Sequence, residues 1–263
     1  RGRSVILLER DLVGQKASGV NFGNVRLSGR PVSQLPLANR ALGLWKRMNE
    51  LVGEDCEYVQ SGRIQVAFSE ERVEFQRNYV RDTQGHELEL QLVGRDELRS
   101  RFPFFSDKAI ADMYAPTDGH ANPRLVAPAF GRAARRAGAD VRENVEVTGI
   151  TKAGEDFHVE TRNGGTFKAP VVLVTAGAWG ARFSAAFGET VPLTTAGPQM
   201  LVTEPTRFFL PQAIGVSTAN YWEGVYVRQV TRGNIVVGGG PRGPASADTS
   251  RGYIVPTNTL NQL

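Results

Sequence analysis

The hydrophobic and polar positions of this chain follow two different periods. Between residues 36 and 52 the apolar side chains recur at the spacing of one helix face. Further helices are predicted over 70–84, from Arg95, and from Arg124, with Pro123 at the start of the last. Strands are predicted at residues 4–10, 58–69, 109–115, 140–152, 157–161, 171–174, 199–203, 224–229 and 234–238. The mixture of the two periods predicts an α/β chain.

The first predicted strand, from Ser4 to Arg10, is an apolar run that ends in the acidic Glu9. The second parallel strand of a Rossmann unit ends in this way, and its carboxylate accepts hydrogen bonds from the ribose hydroxyls of a dinucleotide. The glycine fingerprint that accompanies such a strand is expected roughly 20 residues upstream, which is before Arg1. An ordinary strand with an exposed Glu-Arg end is the alternative interpretation.

The loop after this strand, residues 14–26, is rich in glycine and small polar residues. Glycine has no Cβ and lets the backbone approach a ligand closely, while side chains such as Ser18 and Asn24 offer hydrogen bonds. Through this loop the chain resembles the flavoproteins of the D-amino-acid oxidase family, which includes glycine oxidase and sarcosine oxidase. The stretch A-S-G-V-N-F-G-N-V-R is most similar to the opine oxidase and hydrogen cyanide synthase flavoprotein subunits of that family.

Two later segments resemble the same family in the same order. Residues 139–150 resemble its adenine-contacting strand, with Val147 at the position whose backbone meets the adenine edge. Residues 169–179 resemble the strand and the A-x-G-x-W turn that close the flavin domain. Taken alone, the second segment is equally typical of any buried parallel strand and its turn. With three matches in the family's order, the chain is identified as a member of the family.

The resemblance implies an architecture of two interleaved domains. An incomplete FAD domain of the glutathione-reductase type, with a Rossmann core, is expected from residues 1–52 and 116–182. An α+β substrate domain with an antiparallel sheet is expected from residues 53–115 and 183–263. Family members continue past a segment similar to residues 252–256 into an arginine that binds the substrate carboxylate. Both ends of the cofactor site are therefore expected to be missing, and the chain alone is expected to purify without flavin.

The resemblance also implies positions for the cofactor and the substrate. FAD is the implied cofactor, and the residues implied to contact it are Glu9, Arg10, Ala17, Ser18, Phe22, Gly23, Asn24, Val147, Ala176 and Gly177. Tyr226 matches a tyrosine that donates its hydroxyl to the substrate carboxylate, and the strand period puts Arg228 on the same face. Packing of Tyr226 and a surface ion pair of Arg228 are the alternatives. His120 is predicted to be a capping or loop residue; the alternative is a residue near the flavin, where the resemblance brings this loop. No catalytic side chain is assigned.

The implied function is FAD-dependent oxidation of the C–N bond of an amino acid or an N-substituted amino acid. In that chemistry a hydride leaves the α-carbon for flavin N5 and water hydrolyses the resulting imine, so the cofactor carries the difficult step. The identity of the small-molecule substrate stays open, as does the electron acceptor, which is oxygen, a quinone or a second subunit. The alternative is a non-catalytic fragment or subunit module that lacks a complete flavin site.

Composition and charge limit the kinds of site and partner that the chain can have. The single cysteine, Cys56, excludes an internal disulfide and a CxxC redox or zinc site, and no metal-ligand cluster stands out in the sequence. The net charge of +4 is spread along the chain without a nucleic-acid motif, so no nucleic-acid partner is expected. No apolar stretch approaches the ~20 residues of a membrane span. Membrane association is therefore not indicated, and a cytoplasmic location is expected.

Overall fold

A computed structural model describes residues 2–198, 200–219 and 224–240 of the chain. Its backbone contacts divide these residues into two units. The first unit contains the residues up to Asn21 together with Pro123–Gly197, and the second contains Phe22–Asn122 and the described residues from Pro198 onward. The division falls after residues 21, 122 and 197, whereas the sequence analysis placed the domain boundaries after 52, 115 and 182. Residues 22–52 consequently belong with the second unit.

The helices and strands are numbered in chain order. The helices are α1 Ala17–Val20, α2 Leu35–Trp45, α3 Met48–Val52, α4 Glu70–Asp82, α5 Arg95–Arg101, α6 Pro123–Arg136 and α7 Gly180–Ala185. The strands are β1 Ile6–Leu8, β2 Asn24–Val25, β3 Arg63–Ala67, β4 Gln91–Gly94, β5 Ala111–Ala115, β6 Gly119–His120, β7 Asp140–Arg142, β8 Val147–Ala153, β9 Asp156–Thr161, β10 Thr166–Ala169, β11 Met200–Pro205, β12 Ala213–Val216, β13 Val225–Gln229 and β14 Asn234–Gly239. The segment 252–256 that the resemblance singled out lies outside the described residues.

The helices agree with the hydrophobic periodicity except at one break. α4 is confirmed, and Ser69 caps it by accepting a hydrogen bond from Arg72 N. The predicted helix over 36–52 is instead two helices, because Arg47 between α2 and α3 has non-helical dihedral angles (φ −115°, ψ 18°). The strand predicted over 140–152 is likewise interrupted and forms β7 and β8. The strands that were not predicted from the sequence are β2, β4, β6, β10 and β12.

In the first unit β1 pairs in parallel with β7, and Leu7 lies opposite Val141. This parallel pair agrees with the expected Rossmann-type core. β8, β9 and β10 form a separate antiparallel sheet. A buried cluster that contains Ile150 and Phe183 joins this sheet to α7, and Leu8 at the end of β1 packs against it. The cluster therefore ties the end of the parallel pair to the antiparallel sheet.

The strand predicted at residues 171–174 is wrong. The segment has no regular secondary structure, and Leu173 is 83% exposed. A strand needs a neighbour that satisfies its N–H and C=O groups, and no strand in the described part of the chain pairs with this segment. Its apolar run is consequently not sufficient to make it a strand.

The second unit is built on a seven-stranded sheet with the order β11-β14-β13-β12-β3-β5-β4. Neighbours are antiparallel except β12 and β3, which run parallel, so the predicted antiparallel sheet is a mixed one. One face carries the main hydrophobic core, which contains Ile64, Val66, Val93, Leu98, Phe102, Leu210 and Ile214. Val227 packs against this core. Because side chains alternate along a strand, Tyr226 and Arg228 of β13 lie on the opposite face.

Candidate functional site

Glu9 follows β1 in the first unit, where the chain leaves the parallel pair. Its N–H donates to Arg142 O at 2.9 Å, and its carbonyl accepts from Val145 N at 2.8 Å, so the main chain is fixed at both polar groups. One carboxylate oxygen, Oε1, accepts from Asp11 N at 2.9 Å. The other oxygen has no hydrogen-bond partner among the described residues. Glu9 therefore presents an oxygen that can accept a hydrogen bond from a ligand hydroxyl.

Arg10 brings two of the predicted cofactor segments together. Its guanidinium lies 4.3 Å from the centre of the Trp179 ring, and its Nε donates to the Asp11 carboxylate at 3.0 Å. Trp179 N closes the neighbouring turn with a hydrogen bond to Ala176 O at 3.0 Å. In this turn Gly177 is exposed at φ +54°, and a Cβ at Gly177 would meet no atom within 4 Å. The space beside the turn is open to a ligand.

Val147 lies in the same unit. Leu8, Val147 and Ala176 all pack against the buried cluster that contains Ile150, so predicted cofactor positions from distant parts of the sequence meet around one core. The carbonyl of Val147 accepts a hydrogen bond from Arg182 Nη2 at 2.8 Å. The Val147 carbonyl, which belongs to the backbone edge predicted to contact adenine, thus already accepts a hydrogen bond within the protein.

Ala17 and Ser18 are exposed on α1, a helix of four residues. Close packing fixes this helix at Gly19, where a Cβ would overlap the carbonyl of Gly14. Gly14 adopts φ +84°, and a Cβ there would lie 3.0 Å from the side chain of Ala127 in α6. Glycine at both positions lets the loop pack tightly while Ala17 and Ser18 stay accessible.

The other three predicted cofactor residues, Phe22, Gly23 and Asn24, belong to the second unit. Phe22 is buried, and its ring packs edge-on against Tyr226 with 4.6 Å between the ring centres. Gly23 adopts φ +82°, and its carbonyl accepts a backbone hydrogen bond from the segment before α6. Asn24 pairs with His120 in the sheet of β2 and β6, and its buried Oδ1 has no hydrogen-bond partner among the described residues. The Phe22 ring is therefore a packing partner of a predicted substrate residue.

Tyr226 contacts Phe22 and also lies over two glycines of the neighbouring strand. It stands opposite Gly238 in the ladder of β13 and β14. A Cβ at Gly238 would overlap the Tyr226 ring, and one at Gly239 would come within 3.0 Å of it. The bare backbone of β14 thus provides the space that this ring occupies.

We expect Gly238→Ala to lower the free energy of unfolding by about 1–3 kcal/mol, because the added methyl group displaces the Tyr226 ring or Met200. Urea denaturation measures the change. Gly43→Ala is the matched control, since Gly43 lies inside α2 and a Cβ there meets no atom within 4 Å. Alanine at that position should stabilise the protein by about 0.5–1 kcal/mol. Equal effects of the two changes would contradict this packing of Tyr226.

Arg228 lies two residues beyond Tyr226 and is only 4% exposed. Its Nε donates to Phe22 O at 2.7 Å, and its Nη1 lies 3.5 Å from His120 Nδ1. No carboxylate of the described residues lies within ion-pair distance of this guanidinium. Burial lowers the pKa of Arg228 to about 10, which the charge of Glu57 opposes, so the side chain stays cationic at neutral pH. The alternative of a surface ion pair is wrong, because Arg228 is a buried cation with uncharged partners.

His120 lies beside Arg228, a contact that the sequence did not reveal. It is buried in β6, where its backbone exchanges hydrogen bonds with Val59 at 3.0 and 2.9 Å and pairs with Asn24 on the other side. Burial, and secondly the charge of Arg228, lower the pKa of His120 to about 4, so its imidazole is uncharged at neutral pH. The one neighbouring residue that could have indicated a buried position is Gly119, because a Cβ there would overlap Val59 O. His120 is a buried partner of Arg228 rather than a cap or an exposed loop side chain.

Asp118 fixes this arrangement from the loop before β6. Its buried carboxylate accepts from Leu27 N at 2.7 Å and from Ser28 N at 3.2 Å. Ser28 Oγ donates to the same carboxylate, and Arg63 Nη1 donates to Ser28 Oγ at 3.2 Å. These bonds join the segment after β2 to the loop before β6, so they hold the two short strands in register.

The sequence profile of the family described as DAO, FAD dependent oxidoreductase, matches residues 1–259. The chain belongs to this family. The resemblance inferred from the residues is thereby confirmed.

Relatives and solved structures of the DAO family agree with this result. Glycine oxidase from Geobacillus kaustophilus (strain HTA426) is 31% identical over 196 residues, which are 72% of this chain and 52% of the relative. An opine oxidase subunit from Rhizobium meliloti is 27% identical over 221 residues, which are 80% of this chain and 59% of the relative. The crystal structure of glycine oxidase from Geobacillus kaustophilus superposes with a TM-score of 0.85 at 23% identity, covering 98% of this chain and 69% of that chain. The fold is therefore that of glycine oxidase, and the chain spans about half the length of these curated relatives.

DAO proteins depend on FAD, and the first unit contains residues that fit this cofactor. The second carboxylate oxygen of Glu9 can accept from a sugar hydroxyl. The exposed turn at Gly177 offers backbone that a ligand can approach without meeting a Cβ. Both features lie beside Arg10, which contacts Trp179 of the turn. An acceptor oxygen for a sugar hydroxyl and open space beside an exposed backbone turn are thus present in this unit.

Two other features bear on the class of protein. None of the helices in the described residues is both long and apolar enough to span a membrane. Those residues also hold no group of three or more His, Cys, Asp or Glu side chains that could bind a metal ion. A cytoplasmic location and the lack of a nucleic-acid partner stay predictions.

Proposed function

We propose that this protein is an FAD-dependent oxidoreductase that oxidises the C–N bond of an amino acid or an N-substituted amino acid. Family membership supports the oxidoreductase activity. The names of glycine oxidase, opine oxidase and mitochondrial sarcosine dehydrogenase among the relatives support the substrate class. Bound FAD supplies an acceptor for the hydride of the substrate α-carbon, which side chains cannot supply. The chain's own residues bind and orient the cofactor and the substrate.

The observation that carries the proposal is the buried charge of Arg228. A buried cation is costly unless an anion neutralises it, and the described hydrogen-bonding partners of Arg228 are a carbonyl and an imidazole. A substrate carboxylate would supply the missing negative charge and accept from the guanidinium fork. Tyr226 lies on the same strand face and contacts the same Phe22 ring. We therefore assign the Tyr226 hydroxyl as a second donor to the carboxylate.

For the cofactor, we assign the unpaired carboxylate oxygen of Glu9 to the ribose hydroxyls. The other assigned contacts are Arg10, Ala17, Ser18, Gly23, Asn24, Val147, Ala176 and Gly177. Phe22 was also predicted to contact FAD. Because its ring is buried and its carbonyl accepts from Arg228, we assign Phe22 to the orientation of the two substrate residues instead.

The absorbance spectrum of the intact protein tests this function. Protein purified with both ends of its cofactor site present should show the flavin bands, and anaerobic addition of glycine, sarcosine or proline should bleach them. Oxygen consumption on admission of air then shows whether oxygen is the electron acceptor. Flavin bands that no amino acid or N-methyl amino acid bleaches would contradict the substrate class.

A second candidate is a subunit module whose flavin site another chain completes. The similarity to an opine oxidase subunit and the partial coverage of the relatives favour it. In that case a second subunit would also accept the electrons. The protein would then elute without flavin when purified alone and with flavin when it is co-expressed with its partner, which the same spectrum distinguishes.

We expect Glu9→Ala to weaken FAD binding roughly 10- to 100-fold, because hydrogen bonds to a charged acceptor are worth about 1.5–3 kcal/mol each. Titration of the apoprotein with FAD, followed by flavin fluorescence, measures the change. Glu155→Ala is the control, since Glu155 is an exposed carboxylate at the turn between β8 and β9 of the same unit. Equal FAD affinity of the Glu9 variant and the wild type would refute the ribose assignment.

A further inference from the structure

The contact between Arg228 and His120 is not used by the proposed function. Arg228 Nη1 lies 3.5 Å from His120 Nδ1, and both side chains are buried. We infer that His120 is a positioning residue, which accepts from Arg228 and holds the guanidinium in the orientation that receives a carboxylate. The inference rests on the proposed function, because it takes Arg228 to be the carboxylate-binding group.

An imidazole suits this role because it is an acceptor without a negative charge. Arg228 Nε donates to Phe22 O at 2.7 Å, so one edge of the guanidinium is already fixed. The second acceptor at His120 fixes the plane of the fork, since donors in a rigid plane cannot satisfy two acceptors in any other orientation. A carboxylate in place of His120 would also fix the plane, but it would neutralise the charge and compete with the substrate.

The electrostatics keep the imidazole in its accepting form. With its pKa lowered to about 4, His120 is neutral at pH 7, and the tautomer with its proton on Nε2 leaves a lone pair on Nδ1. The nearby charged group on the preceding segment is Glu57, whose charge acts on Arg228. The carboxylate of Glu57 accepts from Asn122 Nδ2 at 2.9 Å instead. Glu57 therefore forms no ion pair with Arg228.

A positioning residue must itself be fixed, and the backbone of His120 is. Val59 exchanges two hydrogen bonds with it on one side, and Asn24 pairs with it on the other. Gly119 allows the close approach to Val59, and the Asp118 carboxylate ties the preceding loop to the segment after β2. The imidazole thus projects from a backbone held on both sides, by the segment of Val59 and by residues 24–28.

Two variants of the intact protein test the inference, with acetate as the probe of the carboxylate site. His120→Phe keeps a ring but removes the acceptor, whereas His120→Asn keeps an acceptor oxygen near the position of Nδ1. By calorimetry we expect the Phe variant to bind acetate about tenfold more weakly and the Asn variant to stay within about threefold of the wild type, tenfold being about 1.4 kcal/mol. With an amino-acid substrate, KM should rise in the Phe variant while kcat changes little.

A third measurement covers the case in which the Phe variant does not fold. In the wild type, NMR titration of the His120 imidazole should give a pKa that rises when acetate saturates the site, because the bound anion offsets the charge of Arg228. The inference would be overturned if the pKa of His120 were the same with and without acetate, or if the wild type and the Phe variant bound acetate with equal affinity. Failure of the proposed function looks different: acetate would bind and depend on His120, yet no amino acid would bleach the flavin.

Discussion

Asp112→Asn should remove the loss of stability that ionisation of Asp112 causes as the pH rises from about 4 to about 7. The Asp112 contribution is about 2–4 kcal/mol, from a pKa shift worth about 1.4 kcal/mol per unit, and it is measured as the difference between variant and wild type because the neutral His120 acts in the opposite direction over the same range. Asparagine has nearly the same shape and stays uncharged at every pH in this range. At pH 8 the variant should therefore be more stable than the wild type.

The reason is the place of Asp112 in the sheet of the second unit. It lies in β5 directly opposite Val66 of β3 and Val93 of β4, and both valines belong to the main hydrophobic core. Asp112 is 0% exposed, and neither carboxylate oxygen has a hydrogen-bond partner among the described residues. An ionised carboxylate in such a position is strongly disfavoured relative to the neutral acid.

The direction of the pH dependence follows from the two pKa values. Burial raises the pKa of Asp112 to about 7, while the charge of Arg101 lowers it and that of Glu97 raises it by smaller amounts. In the unfolded chain the pKa is about 3.9. Between these values the folded protein holds a proton that the unfolded chain has released, so the free energy of unfolding falls as the pH rises. Below about pH 4 both states are protonated and the effect is absent.

Urea denaturation at pH 5 and pH 8 measures the effect in the wild type and the variant. Asp107→Asn is the matched control, because the Asp107 side chain is largely exposed and pairs with Arg99 at the surface. That change should leave the pH dependence as it is in the wild type. If the free energy of unfolding changes with pH in the same way in Asp112→Asn and Asp107→Asn, Asp112 is not the buried acid that causes the loss of stability.

Arg228→Met should separate function from stability. We expect the KM for an amino-acid substrate to rise at least about 100-fold, since hydrogen bonds to a charged group are worth about 1.5–3 kcal/mol each and more than one is lost. The stability should change little, because methionine fills a similar volume and the removal of a buried cation that has no described ion pair offsets the lost hydrogen bonds to Phe22 O and His120. A purely structural arginine would behave in the opposite way.

Steady-state kinetics and thermal unfolding of the same preparation make the comparison. Activity on the corresponding amine without a carboxylate should change little in the Arg228 variant, because that substrate has no group for Arg228 to bind. Arg232→Met, at the exposed turn between β13 and β14, is the control for the loss of a positive charge. A large loss of stability with an unchanged KM would show that Arg228 is a packing residue and that the carboxylate binds elsewhere.

The resemblance read from the sequence identified the family because its motifs are local. The loop at residues 14–26, the segment around Val147 and the A-x-G-x-W turn each keep their residues together in the chain. For the same reason α4 was predictable, since its hydrophobic period and its cap at Ser69 lie within one stretch. The strand alternation that places Tyr226 and Arg228 on one face is also local, and both contact Phe22 in the structure.

What the sequence did not determine depends on partners that are distant in the chain. Residues 171–174 have a strand-like composition, but a strand exists only where a second backbone pairs with it. The parallel pairing of β12 with β3 joins segments about 150 residues apart. Whether such a pair forms depends on the entropy of closing the loop between the segments, which neither segment's own sequence determines. The burial of Arg228 and Asp112, and the neutral His120 beside Arg228, likewise arise from packing. Because desolvation sets the charge state of each group, only the tertiary structure could show which cation has no counter-ion among the described residues and which acid is protonated.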